Sequence, residues 1–308
     1  MESRDLYRDF SKAYGGPVRL DEKLSAYTTF GTGGLADALI EVTETDQLAR
    51  AVTLARQLSI PFYIIGEGSN LLISDNGYRG LIIRNSVQRR EVQEHSLCIG
   101  AGENLDKTVD FATDCSLTGL EFAAGIWGSV GGAVYGNAGA FGSQISSVLK
   151  EAVLIDREGN VRREANDYFR FAYRHSYLKV TGEIVAEVVL ELQPGDREAI
   201  SRRVEEIREV RRGKHPETAC SAGCFFKNIE DISQPHGKLA AGKLLDEVGA
   251  KTISVGSAGV FDRHANILIN KGGASSKDIR ALADILKKKV KDQFGLELIE
   301  EVICLGDF

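Results

Sequence analysis

Cys224 lies in the segment TACSAGCFFKN, residues 218–228, where its thiol could serve one of three purposes. It could donate a proton to a substrate, because a thiol has an ordinary pKa of about 8.5 and is protonated at neutral pH. It could pack as a small apolar side chain. It could also help to form a zinc site together with Cys220. The neighbouring Lys227 and Asn228 are typical of a loop that faces an anion, but these residues alone leave all three roles open.

The zinc alternative needs two further ligands. His215 and His236 flank the cysteine pair, but C-x3-C with these histidine spacings matches no common structural zinc site. The five cysteines of the chain are scattered, odd in number and without a CxxC pair. This pattern indicates reduced thiols, as in a cytoplasmic protein, rather than a disulfide scaffold.

Glycine is the second residue type whose clustering indicates chemistry, with 33 copies in the chain. The segment GEGSNLL (66–72) follows a predicted strand, and glycine lets backbone N–H groups approach a pyrophosphate; a tight turn is the alternative. The segment GIWGSVGGAVYGNAG (125–139) has so many glycines that we expect neither a stable helix nor a strand there. Because no GxGxxG with a downstream acid is present, these loops predict a dinucleotide on a non-Rossmann scaffold.

One segment nearly matches the phosphate-binding loop of ATP-binding proteins but lacks two of its features. The segment GKLAAGKL (237–244) fits GxxxxGK, but Leu244 replaces the Ser or Thr that would bind Mg²⁺, and no strand is predicted before it. We expect this segment to open a helix instead.

Length, composition and charge limit the class of protein. A chain of 308 residues predicts two or three domains, and 43% hydrophobic with 27% charged residues is typical of a folded protein. The net charge of −6 argues against broad binding to nucleic acid or anionic membranes. The uncharged segment 122–142 is as long as a membrane helix, but it has seven glycines and few large aliphatic residues, so we expect no membrane insertion. The N-terminus lacks the apolar region of a signal peptide.

Apolar spacing predicts the elements that position these groups. Helices are expected over 45–61 (with Thr45 as its cap), 196–213, 239–249 and 275–295. Strands are expected at 62–65, 80–85, twice within 151–165, at 183–193 and at 296–306. Domain boundaries are expected near residues 86 and 211.

Taken together, these segments resemble the UDP-N-acetylenolpyruvoylglucosamine reductase (UDP-N-acetylmuramate dehydrogenase) family over nearly the full chain. The motifs that carry the resemblance are, in order, YTTFGTGG, GEGSNLLISDNGYRGLIIRN, GLEFAAGIWGSVGGAVYGNAGAFG, YRHSYLK, RRGKHP, SAGCFFKN, HAN and LELIEEVICLG. The resemblance implies an α+β fold: a two-part FAD-binding region of the vanillyl-alcohol-oxidase (PCMH) type, followed by a smaller α+β substrate-binding domain. The expected parts are 1–86 and 87–210 for FAD and 211–295 for substrate, with the terminal strand 296–308 near the first part.

The resemblance also implies an activity in peptidoglycan precursor synthesis. The expected reaction is NADPH-dependent reduction of the enolpyruvyl ether of UDP-N-acetylglucosamine enolpyruvate to UDP-N-acetylmuramate, with hydride from reduced FAD reaching C3 and a proton reaching C2. We expect non-covalent FAD, NADPH as co-substrate, and a cytoplasmic monomer that binds neither nucleic acid nor membrane.

By resemblance, three residues carry the chemistry. Cys224 is the general acid that protonates C2, at a position where many family members have serine. Arg174 of YRHS and Glu301 of EEV act at the substrate carboxylate, where negative charge develops during the reaction. Glu301 can help only if it is protonated or hydrogen-bonded, so a raised pKa is expected for it. Apart from the resemblance, a surface or interdomain ion pair is the simpler role for Arg174 and Glu301.

Binding residues follow from the same motifs. Those expected to hold FAD are Gly66, Glu67, Gly68, Ser69, Asn70 and Leu71 at the pyrophosphate, and Gly125, Ser129, Val130, Gly132 and Gly139 near the ring system. Those expected to bind the substrate are Tyr173, Lys214 and Asn228.

The chain departs from the family pattern within the flavin segment and nearby. Trp127 stands where proline is common, and Gly136 stands where methionine is common. The span 176–195 has no room for a long inserted loop, which indicates the shorter subclass of the family. Two other functions compete with the reductase: an alcohol or sugar oxidase of the same fold, and a non-catalytic flavin or nucleotide sensor.

Overall fold

The computed structural model describes residues 3–218, 220–233 and 237–308. The chain divides into two compact units. Unit 1 consists of Met1–Glu22, Ala36–Glu67 and Arg79–Val210. Unit 2 consists of Lys23–Leu35, Gly68–Tyr78 and Arg211–Phe308, so it contains the predicted substrate-binding segment together with pieces from both ends of the chain.

The helices are α1 (Ser3–Tyr14), α2 (Thr45–Gln57), α3 (Leu105–Asp114), α4 (Val130–Gly136), α5 (Leu178–Thr181), α6 (Arg197–Lys214), α7 (Ala241–Glu247) and α8 (Ser276–Phe294). The first ten strands are β1 (Arg19–Lys23), β2 (Leu35–Val42), β3 (Phe62–Ile65), β4 (Leu71–Ile73), β5 (Tyr78–Asn85), β6 (Arg90–Gln93), β7 (Ser96–Gly100), β8 (Leu117–Thr118), β9 (Gly139–Ala140) and β10 (Ser143–Gln144). The others are β11 (Leu149–Ile155), β12 (Val161–Ala165), β13 (Ile184–Glu191), β14 (Gln193–Pro194), β15 (Ile229–Glu230), β16 (Lys238–Leu239), β17 (Ser254–Val255), β18 (Ala258–Phe261), β19 (His264–Asn270) and β20 (Ile303–Leu305).

Unit 1 is built on two sheets. One has the strand order β1-β2-β5-β3, with β3 and β5 parallel, and α1 and α2 bury Phe10 and Val52 in its core. The other has the order β12-β11-β13-β7-β6 with antiparallel pairs throughout. The apolar faces of α3, α4 and α6 share a core with this second sheet, including Val109, Val134 and Val204.

Unit 2 has one core that draws on three stretches of the chain. Phe225, Phe226 and Leu282 pack there together with Leu72 of β4 and Val302 near the C-terminus. Its sheet β17-β18-β19 is antiparallel, and β20 pairs parallel with β4. A capping box between Ser275 and Asp278 starts α8.

Helices and strands in both units confirm the α+β class. The predicted helices correspond to α2, α6, α7 and α8, although Glu44 rather than Thr45 is the N-cap of α2. The predicted final strand is shorter than expected, since β20 covers only Ile303–Leu305. Within the parts of the chain that are described, no helix is both long and apolar enough to cross a membrane.

The expectation that the glycine-rich segment excludes a helix is wrong. Helix α4 forms within it, capped by Ser129, whose Oγ accepts a hydrogen bond from the Gly132 N–H. A Cβ at Gly131 would lie 2.8 Å from the Cβ of Ala101. Close packing that only glycine permits therefore accompanies the helix and offsets its low intrinsic propensity.

Candidate active site

Gly66 follows β3 and lies directly against the start of α4 within unit 1. A Cβ added at Gly66 would overlap the Ser129 hydroxyl oxygen. No side chain fits there without displacing Ser129, so the backbone of the predicted pyrophosphate loop meets the predicted flavin segment. The structure thus brings together two cofactor residues that are far apart in sequence.

Glu67 turns its side chain towards α3. Both carboxylate oxygens accept from Asn104 Nδ2, at 2.9 and 3.0 Å. The same amide caps α3, because Asn104 Oδ1 accepts from the Lys107 N–H at 3.0 Å. Sequence analysis missed Asn104, although asparagine before a helical segment is a common N-cap signal. With its carboxylate held by Asn104, Glu67 can contribute to an anionic cofactor through its backbone.

Gly125 is held by an acidic residue of α3. Its N–H donates to Asp106 Oδ1 at 2.6 Å, and its φ of +70° favours glycine. Asp106 is itself bonded by Arg208 of α6 at 2.8 Å. Neither Asp106 nor Arg208 was predicted, since their partners lie far away in sequence.

The second half of the glycine loop belongs to unit 2. Gly68 has a φ of +65°, and a Cβ there would overlap the carbonyl oxygen of Tyr27. The hydroxyls of Thr29 and Thr32 are buried without a hydrogen-bond partner. Buried polar atoms are nearly always paired, so these two hydroxyls fit a ligand with polar groups, such as FAD.

Tyr173 and Arg174 form the tip of a tight turn in unit 1. Ala172 and His175 exchange two backbone hydrogen bonds of 3.1 Å at its base. Arg174 is left-handed with a φ of +51°, and its guanidinium carbon lies 5.5 Å from the centre of the Tyr173 ring. Arg174 Nη2 donates to the Gly139 carbonyl at 2.9 Å, which joins a predicted catalytic residue to a predicted cofactor residue.

Asn137, which sequence analysis missed, anchors this turn. It is fully buried and ends α4 in a left-handed conformation. Its Nδ2 donates to the Ala172 carbonyl at 3.0 Å, and its Oδ1 accepts from the Ser146 N–H at 3.1 Å. Ser176 adds a second link from its hydroxyl to the Tyr135 carbonyl of α4 at 2.7 Å.

Cys224 and Glu301 lie on neighbouring backbone segments of unit 2. Cys224 is half-buried and its backbone pairs with Ile267 of β19. Glu301 is also half-buried, and its N–H donates to the Phe225 carbonyl at 2.8 Å. Asn70 also contacts Glu301, since its Nδ2 donates to the Glu301 carbonyl at 3.1 Å.

The other predicted substrate residues occupy helix ends in unit 2. Lys214 is the exposed last residue of α6. Asn228 Oδ1 accepts from the Ala241 N–H at the start of α7, at 3.1 Å. His215 follows Lys214 in the chain. Its pKa is lowered to about 4, mainly by burial and further by the positive charges of Arg211, His264 and Lys214.

Two sequence departures and the zinc alternative can be placed on the structure. Trp127 is partly exposed, and a Cβ at Gly136 would meet no other atom within 4 Å, so packing does not require glycine there. None of the five cysteines, all of which lie in the described residues, forms a disulfide. Within the described segments, no cluster of three metal-ligating side chains occurs; His236 lies outside those segments.

Comparison with known proteins defines the class of this chain. Residues 36–164 match the FAD-binding domain family, and residues 215–305 match the family of UDP-N-acetylenolpyruvoylglucosamine reductase C-terminal domains. The chain is therefore an FAD-dependent oxidoreductase. A glucose dehydrogenase, Phl p 4, shares the fold alone, with 13% identity and a TM-score of 0.50 over 63% of this chain and 44% of its own.

Relatives with higher sequence identity to this chain identify its family. The reductase of Heliobacterium modesticaldum is 39% identical over 98% of this chain and 94% of its own length. Reductase 1 of Bacillus cereus is 37% identical over 98% of this chain and 99% of its own. The crystal structure of the Thermus caldophilus reductase has a TM-score of 0.79 and 33% identity over 94% of this chain and all of its own. The chain belongs to the UDP-N-acetylenolpyruvoylglucosamine reductase family.

Proposed function

We propose that this protein reduces the enolpyruvyl ether of UDP-N-acetylglucosamine enolpyruvate to UDP-N-acetylmuramate, as a cytoplasmic monomer, with Cys224 as its proton donor. The observation that supports this assignment best is the 2.8 Å hydrogen bond from Glu301 N–H to the Phe225 carbonyl. It holds the backbone of Glu301, the residue assigned to the substrate carboxylate, beside the segment that carries the thiol, in a chain whose family performs this reaction.

The chemistry divides into two additions across the carbon–carbon double bond. Bound FAD supplies hydride transfer from NADPH to C3 of the enolpyruvyl group. The protein must then supply a proton at C2 and stabilise the negative charge that develops on the adjoining carboxylate.

Cys224 donates the proton. A thiol with an ordinary pKa of about 8.5 is protonated at neutral pH and is a far stronger acid than a serine hydroxyl. Cys224 is half-buried, and both Phe225, which follows it, and Ile267, its backbone partner on β19, are fully buried, so its position is set by the core.

Arg174 and Glu301 act on the substrate carboxylate. Arginine presents a planar, permanently charged fork that matches a carboxylate. The Gly139 carbonyl orients one arm of that fork through the 2.9 Å hydrogen bond described above. Glu301 acts as a hydrogen-bond donor to the developing charge, which requires its protonated form.

Lys214, Asn228 and Tyr173 bind the nucleotide-sugar part of the substrate. Lys214 is an exposed cation suited to a diphosphate. Asn228 is oriented by the start of α7. In this assignment Tyr173 packs beside the substrate, while its ring lies against the Arg174 guanidinium.

Anaerobic stopped-flow absorbance at the flavin band tests the role of Cys224. In Cys224→Ala, reduction by NADPH should proceed as in the wild type, while reoxidation by the enolpyruvyl substrate should slow about 100-fold or more, as expected for loss of a general acid. Cys220→Ala, which changes a half-buried thiol of the same segment, is the matched control and should leave both steps unchanged. Equal loss in both steps of Cys224→Ala contradicts the assignment.

The same instrument separates the competing functions. The reductase should recover its flavin band on addition of the enolpyruvyl substrate without oxygen. An oxidase would instead recover it with oxygen and show no response to that substrate. A sensor would keep its flavin reduced in both cases.

A further inference from the structure

Asn266 is a buried asparagine of β19 whose side chain bonds to the backbone of the Cys224 segment. Its side chain is 2% exposed. Its Oδ1 accepts from the Phe226 N–H at 2.9 Å, and its Nδ2 donates to the Phe226 carbonyl at 2.8 Å. Both polar groups of one buried residue are therefore satisfied by a single side chain.

This side chain completes a set of contacts along three consecutive residues. Cys224 pairs with Ile267 through the backbone, and the Phe225 N–H donates to the Asn266 carbonyl at 2.7 Å. At Phe226 the hydrogen bonds to β19 are made by the side-chain amide of Asn266 instead of by its backbone. Cys224, Phe225 and Phe226 are thus each paired with a residue of β19.

The opposite edge of the same segment is held by the chain around Glu301. Phe226 pairs with Glu300, and the Lys227 N–H donates to the Ile299 carbonyl at 2.8 Å. The segment therefore lies between β19 and the residues that precede β20. Any slip of Phe226 relative to β19 would move Cys224, two residues before it, away from its partner Ile267.

We propose that Asn266 is a positioning residue for proton transfer: its amide fixes the Cys224–Phe226 segment to β19 and thereby sets the position of the thiol. This inference rests on the proposed role of Cys224. Asn266 does not act on the substrate; it acts through the backbone to which Cys224 belongs.

The chemistry of this position specifies an amide. The side chain of Asn266 uses its acceptor and its donor at the same time. The backbone N–H of Asn266 donates separately to His264 Nδ1 at 3.2 Å. Aspartate has the same shape but presents only acceptors when ionised, so it would face the Phe226 carbonyl with a second oxygen. Alanine would leave the N–H and the carbonyl of a buried residue without partners.

Asn266→Asp and Asn266→Ala test the inference in the FAD-loaded enzyme. In both variants we expect reoxidation by the enolpyruvyl substrate to slow about 10-fold, equivalent to about 1.4 kcal/mol in the barrier, while reduction by NADPH is unchanged. Asn166→Asp is the matched control: Asn166 is another asparagine whose side chain makes two hydrogen bonds to the backbone, in this case to the carbonyls of Ser146 and Leu149 in unit 1. It should change neither step.

A double mutant separates positioning from general destabilisation. If Asn266 acts through Cys224, Asn266→Asp should slow reoxidation no further in a Cys224→Ala background. Multiplicative losses in the double mutant would overturn the inference, as would equal slowing of both half-reactions in the two Asn266 variants. If Cys224→Ala alone leaves reoxidation intact, the proposed function of Cys224 fails instead, which is a distinguishable result.

Discussion

Arg174 Nη2 donates a hydrogen bond to the carbonyl oxygen of Gly139 at 2.9 Å. Gly139 ends the glycine-rich segment that we assign to the flavin, and Arg174 stands at the tip of the Tyr173–Arg174 turn. A left-handed φ of +51° at Arg174 and the buried amide of Asn137 hold that turn. The orientation of the guanidinium is therefore built into the fold of unit 1 rather than acquired only when substrate arrives.

Arg174→Lys should slow reoxidation of the reduced flavin by the enolpyruvyl substrate about 100-fold, since lysine keeps the charge but lacks the fork. Reduction by NADPH should be unchanged. Arg170→Lys is the matched control, because Arg170 is another left-handed arginine nearby, exposed and lying over the Tyr177 ring. Equal behaviour of the two variants in single-turnover kinetics would remove Arg174 from the chemistry.

Gly66→Ala should weaken FAD binding, because its Cβ would overlap the Ser129 hydroxyl and force this N-cap side chain of α4 to move. Gly136→Ala in the same glycine-rich region should retain FAD, since a Cβ there meets nothing within 4 Å. It should also stabilise α4 by about 0.5–1 kcal/mol, the usual gain of alanine over glycine in a helix. The ratio of flavin to protein absorbance after gel filtration measures retention, and a yellow Gly66→Ala protein would refute the close-approach argument.

Periodicity predicted the two longest helices, α6 and α8, because their apolar faces are continuous in sequence, whereas α1 and α3 were not predicted. In α8, the Ser275 cap, the buried stripe and Gly295 with its φ of +70° all appear as local signals. Helix α4 was not predicted, because helix propensity is assigned to each glycine separately. It includes neither the cap by Ser129 nor the close contact between Gly131 and Ala101.

The site residues show the same limit. Motifs in the sequence pointed to Cys224 and Glu301, but the hydrogen bond that brings their segments together spans residues distant in the chain. Asn266 belongs to the HAN motif, but the motif alone indicates no role for it. Its partner, Phe226, lies 40 positions away, and no spacing rule connects the two.

The buried imidazole of His215 should make stability depend on pH. Burial and the neighbouring positive charges lower its pKa from 6.5 in the unfolded chain to about 4 in the folded one. The unfolded state therefore binds the proton more readily, so this contribution is complete above pH 6.5 and is lost as the pH falls towards 4. Replacing His215 with Gln should flatten the stability profile in that window.

Urea unfolding at a series of pH values checks this expectation. His95→Gln is the control, because His95 is exposed in the turn between β6 and β7. A His215→Gln profile parallel to that of the wild type between pH 6.5 and 4 would contradict it.

Glu300, next to Glu301, forms ion pairs with two residues of α8. We expect these pairs to contribute to stability at neutral pH. The Glu300 carboxylate pairs with Arg280 at 2.8 Å and Lys287 at 2.9 Å, and its side chain is 17% exposed. Burial alone would raise the pKa of Glu300, but hydrogen bonds from Lys287 and Arg280 outweigh it and lower the pKa below 4.5. Glu300→Gln should cost about 1–2 kcal/mol, less than a fully buried pair, because both cations are partly exposed.

The pH dependence of that cost identifies its origin. Because the folded pKa of Glu300 is lowered, its contribution is present above pH 4.5 and disappears as the pH falls through the folded value. The difference in unfolding free energy between wild type and Glu300→Gln should therefore shrink in acid. Glu297→Gln removes the exposed pair with Lys291 and should have no measurable effect, since exposed ion pairs contribute little. A Glu300→Gln deficit that stays constant down to strongly acidic pH would show that packing, not the ion pairs, anchors this segment.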